Sequence, residues 1–169
     1  MFVSTYESGI DAKGRVSIPA PFRAALGGGS RVFLWPALDG SGCLEGGGEA
    51  LMAVYRQTIM RLPPQSKAHR ALRHGVFVRS ADLKMDDAGR IRLPEHLMAV
   101  AGLGERVIFA GAVDSFQIWD PGRFSGYDAQ MDDVVSDPDI AEALSAAYSE
   151  TLAAGGVPGL GQGGGGGVE

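Results

Sequence analysis

A chain of 169 residues holds one medium domain or two small ones, and 15 Lys and Arg against 20 Asp and Glu give it a formal net charge of −5. That balance excludes a uniformly basic nucleic-acid coat. No apolar run approaches the roughly 18 residues of a membrane span, and the opening MFVSTYESGI lacks the basic and apolar regions of a secretory leader. The expectation is a cytoplasmic protein with no membrane partner. Cys43 is the only cysteine, so no intrachain disulfide forms, and it reads as a small buried apolar side chain.

In chain order, residues 2–7, 15–18 and 31–35 read as short strands, rich in β-branched and aromatic residues and bounded by Gly or Pro. A helical piece, PAPFRAALGGG, separates the second from the third, opened by proline and closed by glycine. GGGS and GGGE lack the lysine of a phosphate loop and read as plain loops. EALMAVYRQTIMRL then sets Leu51, Val54, Tyr55, Ile59 and Leu62 at helical spacing and stops at Pro63-Pro64, and SKAHRALRHG reads as a second, basic helix. Strands follow at 76–85, 90–93 and 106–110, with the helical piece PEHLMAVAGLG between the last two. DPDIAEALSAAYSETLAA offers Asp137 as N-cap, Pro138 at the first helical position and an apolar stripe of Ile140, Leu144, Ala147, Tyr148 and Leu152. The last fifteen residues, GGVPGLGQGGGGGVE, have the composition of a disordered tail.

Strand, turn, strand, helix, strand thus occurs twice. IDAKGRVSIP at 10–19 aligns with MDDAGRIRLP at 85–94, with Asp11/Asp86, Gly14/Gly89, Arg15/Arg90 and Pro19/Pro94 identical. The register runs on without a gap to Arg31/Arg106 and Val32/Val107, so the repeat spans a structural unit. Two units of this size are each marginal alone and tend to share a core or to oligomerise. The chain divides into a first repeat at 1–50, a helical linker at 51–75, a second repeat at 76–125, a helical segment at 126–154 and the tail at 155–169.

Asp-x-x-Gly between two strands fits a type I turn, with Asp11 or Asp86 accepting backbone N–H bonds and Gly14 or Gly89 taking a positive φ. Lys13 then sits at the first tip. The period of two sends Arg15 and Ser17 to one face and Val16 and Ile18 to the other, and likewise Arg90 and Arg92 out, Ile91 and Leu93 in. Arginine forks suit phosphates and guanine edges. The competing reading for each arginine is a surface ion pair with its neighbouring aspartate or with another chain. The repetition of the device favours the first reading, and the charge is unevenly spread. Residues 1–95 hold 13 basic against 9 acidic side chains, a net +4, whereas 96–169 hold 2 against 11, a net −9.

Catalysis is not expected. The duplicated aspartates lack the Asp-Thr/Ser-Gly of an aspartic-protease dyad, and the histidines at 69, 74 and 96 have no ligand spacing, which leaves no metal or other cofactor to place.

With DAKGRVSIPAPFR, then RALRHGVFVRSADLKMDDAGRIRLP and FQIWD, residues 1 to about 150 resemble the MraZ family of bacterial transcriptional regulators of the division and cell wall gene cluster. The resemblance implies an α+β fold: a duplicated swapped-hairpin AbrB/SpoVT-type β-barrel with flanking helices, its protomers joined in a closed ring. It further implies double-stranded promoter DNA as partner, a nucleoid-associated location, and DNA-binding Lys13, Arg15 and Arg90 shaped by Asp11, Gly14, Asp86 and Gly89; the strand alternation adds Arg92 to the DNA-binding set. Ala88 stands where the first copy has lysine, so the first copy is expected to bind more strongly. The alternative is an oligomeric protein-interaction ring related to AbrB-type antitoxins.

Overall fold

The computed structural model describes residues 1–154. They fall into two compact units, Met1–Ser125 and a helical unit from Gly126 onward. The first is an α+β assembly of antiparallel strands and short helices. In order these are β1 (Thr5–Gly9), β2 (Arg15–Ser17), α1 (Ala20–Ala25), β3 (Arg31–Pro36), β4 (Leu44–Gly47), α2 (Glu49–Arg61) and α3 (Lys67–Leu72). There follow β5 (Ala81–Lys84), β6 (Arg90–Arg92), α4 (Glu95–Ala101), β7 (Arg106–Ala112), β8 (Ser115–Trp119) and α5 (Pro121–Val135), the last running across the unit boundary.

Six strands form a sheet in the order β1-β7-β8-β4-β3-β5, and β2 pairs with β6 in a separate two-stranded sheet. The larger sheet is open, with β1 and β5 at its edges. The pairing crosses between the repeats: β1 lies on β7, β5 on β3 and β2 on β6. Repeat-equivalent ion pairs mark this symmetry, Arg106 to Glu7 and Arg31 to Asp82.

The core lies between the two sheets and the short helices. Val16, Ile18, Ile91 and Leu93 are buried as the period of two requires. They meet Phe22 and Leu97, the inward residues of α1 and α4, and an aromatic group in which Phe22 lies edge-on to Phe2 and Tyr6 at centroid distances of 5.3 Å. Cys43 is buried, and burial pushes its thiol up to about 11.

Three stretches depart from the sequence reading. Residues 2–7 do not form one strand: Ser4 takes a left-handed φ of 71°, leaving Phe2 as a lone bridge to Val113 ahead of β1. The strand expected at 76–85 begins only at Ala81, because the chain leaves α3 through a π-helical turn, Arg73–Val78. That turn buries Val76 and brings Gly75 against Leu38, so close that a Cβ would stand 2.4 Å from its Cδ2. Two glycines of the second loop, finally, Gly46 and Gly47, belong to β4. A side chain at Gly46 would collide with Leu34 Cδ2 at 2.5 Å and Phe116 at 2.7 Å, so the absent Cβ is what admits the strand to the core.

The helical unit contains the end of α5 and α6 (Pro138–Ala153), where the Asp137 carboxylate caps the first turn by accepting Asp139 N–H at 2.9 Å. The stripe of Ile140, Leu144, Tyr148 and Leu152 is exposed. The Gly-rich tail lies outside the described residues. Among the described residues no helix is long and apolar enough to cross a membrane.

Candidate nucleic-acid interface

Both aspartates build their turns the same way. Asp11 Oδ1 accepts the backbone N–H of Lys13 and of Arg15, each at 2.9 Å, and its carbonyl accepts Gly14 N–H at 2.9 Å. Asp86 Oδ1 accepts Ala88 N–H at 3.0 Å and Arg90 N–H at 2.9 Å, with Gly89 N–H on its carbonyl at 2.9 Å. Gly14 and Gly89 adopt φ of 73° and 77°, where a side chain is strained.

The second oxygen of each carboxylate faces its arginine. Arg15 Nε and Nη2 both approach Asp11 Oδ2 at 2.8 Å, and Arg90 Nε donates to Asp86 Oδ2 at 2.9 Å. Turn shaping and ion pairing thus coexist in one residue. The Arg15 backbone N–H, and after it the Arg15 side chain, hold the Asp11 carboxyl down at about 2; the Arg90 backbone N–H lowers Asp86 too. A guanidinium pinned through one edge keeps other donors free, so the pair orients each fork without consuming it.

The two turns lock to each other. Ile18 N–H donates to Gly89 O at 3.0 Å and Leu93 N–H to Gly14 O at 2.9 Å. The register between β2 and β6 sets Arg15 against Arg92, Val16 against Ile91 and Ser17 against Arg90. With Val16 and Ile91 buried, Arg15, Ser17, Arg90 and Arg92 share the outer face. Arg92 therefore stands at the first-turn end, beside Lys13 and Arg15, although it belongs to the second copy. Across the ladder Arg90 faces Ser17. Lys13 and Arg92 are exposed, and among the described residues neither has a carboxylate partner. In sequence Arg92 belongs to the copy whose turn carries Ala88, and the register places it at the other turn.

Among the described residues no group of three or more His, Cys, Asp or Glu side chains is placed to hold a metal. The family model described as "MraZ protein, putative antitoxin-like" matches residues 1–46 and 76–144. The chain belongs to the MraZ family. It is 55% identical over 149 residues to the transcriptional regulator MraZ of Hyphomonas neptunium, which covers 88% of this chain and 90% of that protein. It is 38% identical over 135 residues to the regulator of the same name from Caulobacter vibrioides, covering 79% and 86%. The Azorhizobium caulinodans MraZ regulator is 40% identical over 131 residues, covering 76% and 83%. The MraZ match includes both turns and both arginine-bearing strands.

Proposed function

We propose that this chain is a sequence-specific DNA-binding transcriptional regulator acting on repeated promoter boxes of the division and cell wall gene cluster, its own operon included. Lys13, Arg15, Arg90 and Arg92 carry the contacts. The observation that carries this reading is Arg15 opposite Arg92 with Lys13 beside them. Like charges directly across a ladder cost stability, and a phosphate or guanine edge between them removes that cost. The Asp11 and Asp86 bridges present the forks preoriented, and Lys13 and Arg92, without a carboxylate partner among the described residues, supply charge for the backbone. An acidic remainder limits adhesion to unrelated DNA.

The crossed pairing of β1 with β7 and β5 with β3 supports a swapped-hairpin AbrB-type architecture in which the two halves form one pseudo-symmetric barrel. The exposed stripe on α6 supports self-association into a closed ring, where several weak boxes gain avidity from linkage. The test is a mobility shift on the DNA upstream of the coding region, with scrambled DNA as control. Selective retardation is expected. Equal affinity for both probes, or none, overturns the reading and favours the antitoxin-like interaction ring.

A further inference from the structure

Each copy has a hollow beside its turn, and the two are filled differently. Beside the second turn lies Arg23, whose Nη1 donates to Ile18 O at 2.6 Å. Its Cδ runs over Gly89, where a Cβ would stand only 2.6 Å away. Shifted by one repeat, Arg23 becomes Met98, Gly89 becomes Gly14 and Ile18 becomes Leu93. There a cleft of about 710 Å³ opens, lined among others by Ile10, Gly14, Leu93, Met98 and Leu103. Gly14 is uncovered: the nearest atom to its missing Cβ is Leu93 O at 3.6 Å, the carbonyl equivalent to the one Arg23 engages.

Two further lining positions differ. Ala20 and Ser30 on the filled side correspond to Glu95 and Glu105 on the open side. Where the arginine is lost, two carboxylates are gained, and among the described residues neither is held in an ion pair. Of the cations on the rim, Arg106 is bound to Glu7, and Lys13 and Arg92 are those assigned above to DNA. An apolar floor with a carbonyl and two carboxylates suits an alkyl stem ending in a planar guanidinium.

We infer that this cleft is an arginine site, taking an arginine side chain from a second copy of the chain. The inference rests on the self-association proposed above. The chain carries the complement: Arg56, Arg61, Arg70 and Arg73 are exposed on α2, α3 and the π-helical turn, with no carboxylate partner among the described residues. A neighbour's arginine would lie against Gly14 as Arg23 lies against Gly89, bracing the turn that holds Lys13 and Arg15. Assembly and the stiffness of the stronger DNA-reading end are then one event.

Met98→Arg fills the cleft from within, as Arg23 does in the other half. In sedimentation velocity on the full chain it is expected to shift the assembly to smaller species, with a melting temperature no lower than wild type. Glu95→Ala with Glu105→Ser, which installs the residues of the filled side at two exposed positions, should give the same shift. Butylguanidinium should dissociate wild-type assemblies more effectively than butylammonium at equal concentration. If Met98→Arg does not fold, the double variant decides. Wild-type sedimentation by the folded variants overturns the site. A wild-type chain that is monomeric at every concentration overturns it together with the assembly reading, while selective DNA binding by that monomer would leave the regulator standing.

Discussion

Arg15 and Arg92 are directly opposed across the β2–β6 ladder, one from each repeat, and among the described residues Arg15 has a carboxylate to offset it and Arg92 has none. Like charges opposed in this way are destabilising in a free protein, and on the DNA-binding reading proposed above an anion between them offsets that. Arg92→Ala should weaken operator binding by about 1 to 3 kcal/mol while leaving the melting temperature unchanged or slightly raised. Fluorescence anisotropy across a salt series and a thermal melt check both halves. Wild-type affinity and salt slope in the variant would remove Arg92 from the interface.

Arg15→Ala should produce a DNA defect at least as large, with folding retained, since Arg15 stands on the face opposite Val16 and Ile18. Arg90→Ala should be milder, because its ladder neighbour is Ser17 and its turn carries Ala88. The decisive measurement ranks the three variants on one operator. Arg90→Ala as the most damaging would reverse the assignment of the strong end.

Gly14→Ala and Gly89→Ala both force a side chain into the left-handed region, a cost of roughly 1–2 kcal/mol each. Gly89→Ala must also displace Arg23 from its place beside Ile18 O. Urea unfolding should therefore show the larger loss at position 89. Equal losses would mean that Arg23 contributes nothing there.

Asp11 titrates at about 2 in the fold, below its ordinary 3.8, and Asp86 is shifted the same way. A depressed carboxyl stabilises the native state above its unfolded pKa and loses that contribution as pH falls toward the folded value. The turns should hold at neutral pH and loosen below about pH 4. The amide resonances of Gly14 and Gly89 report it, and Asp11→Asn should flatten the response of Gly14 alone.

The Cys43 thiol is buried and raised to about 11, so it should resist alkylation at pH 8 in the folded chain and react on unfolding. Fast labelling of native protein would show that β4 opens readily.

The turns were legible because Asp-x-x-Gly-Arg encodes its own geometry: carboxylate on backbone N–H, positive φ at glycine, alternation on the returning strand. Local chemistry suffices for that. The hidden features depend on distant partners. Gly46 looks like loop until Leu34 and Phe116 are packed over it. The π-helical turn is hidden because Val76, Phe77 and Val78 favour strand locally, whereas α3 runs on into them with Val76 buried. The location of Arg92 needs the antiparallel register between copies, which no single repeat specifies.

The crossed strand pairing has a kinetic consequence during synthesis. Within the first repeat only β3 finds a ladder partner at once, in β4: its other edge waits for β5, β2 waits for β6, and β1 waits for β7, which ends at Ala112. Domains usually fold as they emerge, N-terminal first, but here β1, β2 and one edge of β3 stay unpaired while the later half is translated. Pairing at such sequence separation is intrinsically slow. Nascent chains on one messenger therefore expose compatible edges to each other at the same time. Elongation speed through residues 50–112, rather than the stability of the finished fold, sets how often β1 finds the β7 of its own chain and how often that of a neighbour.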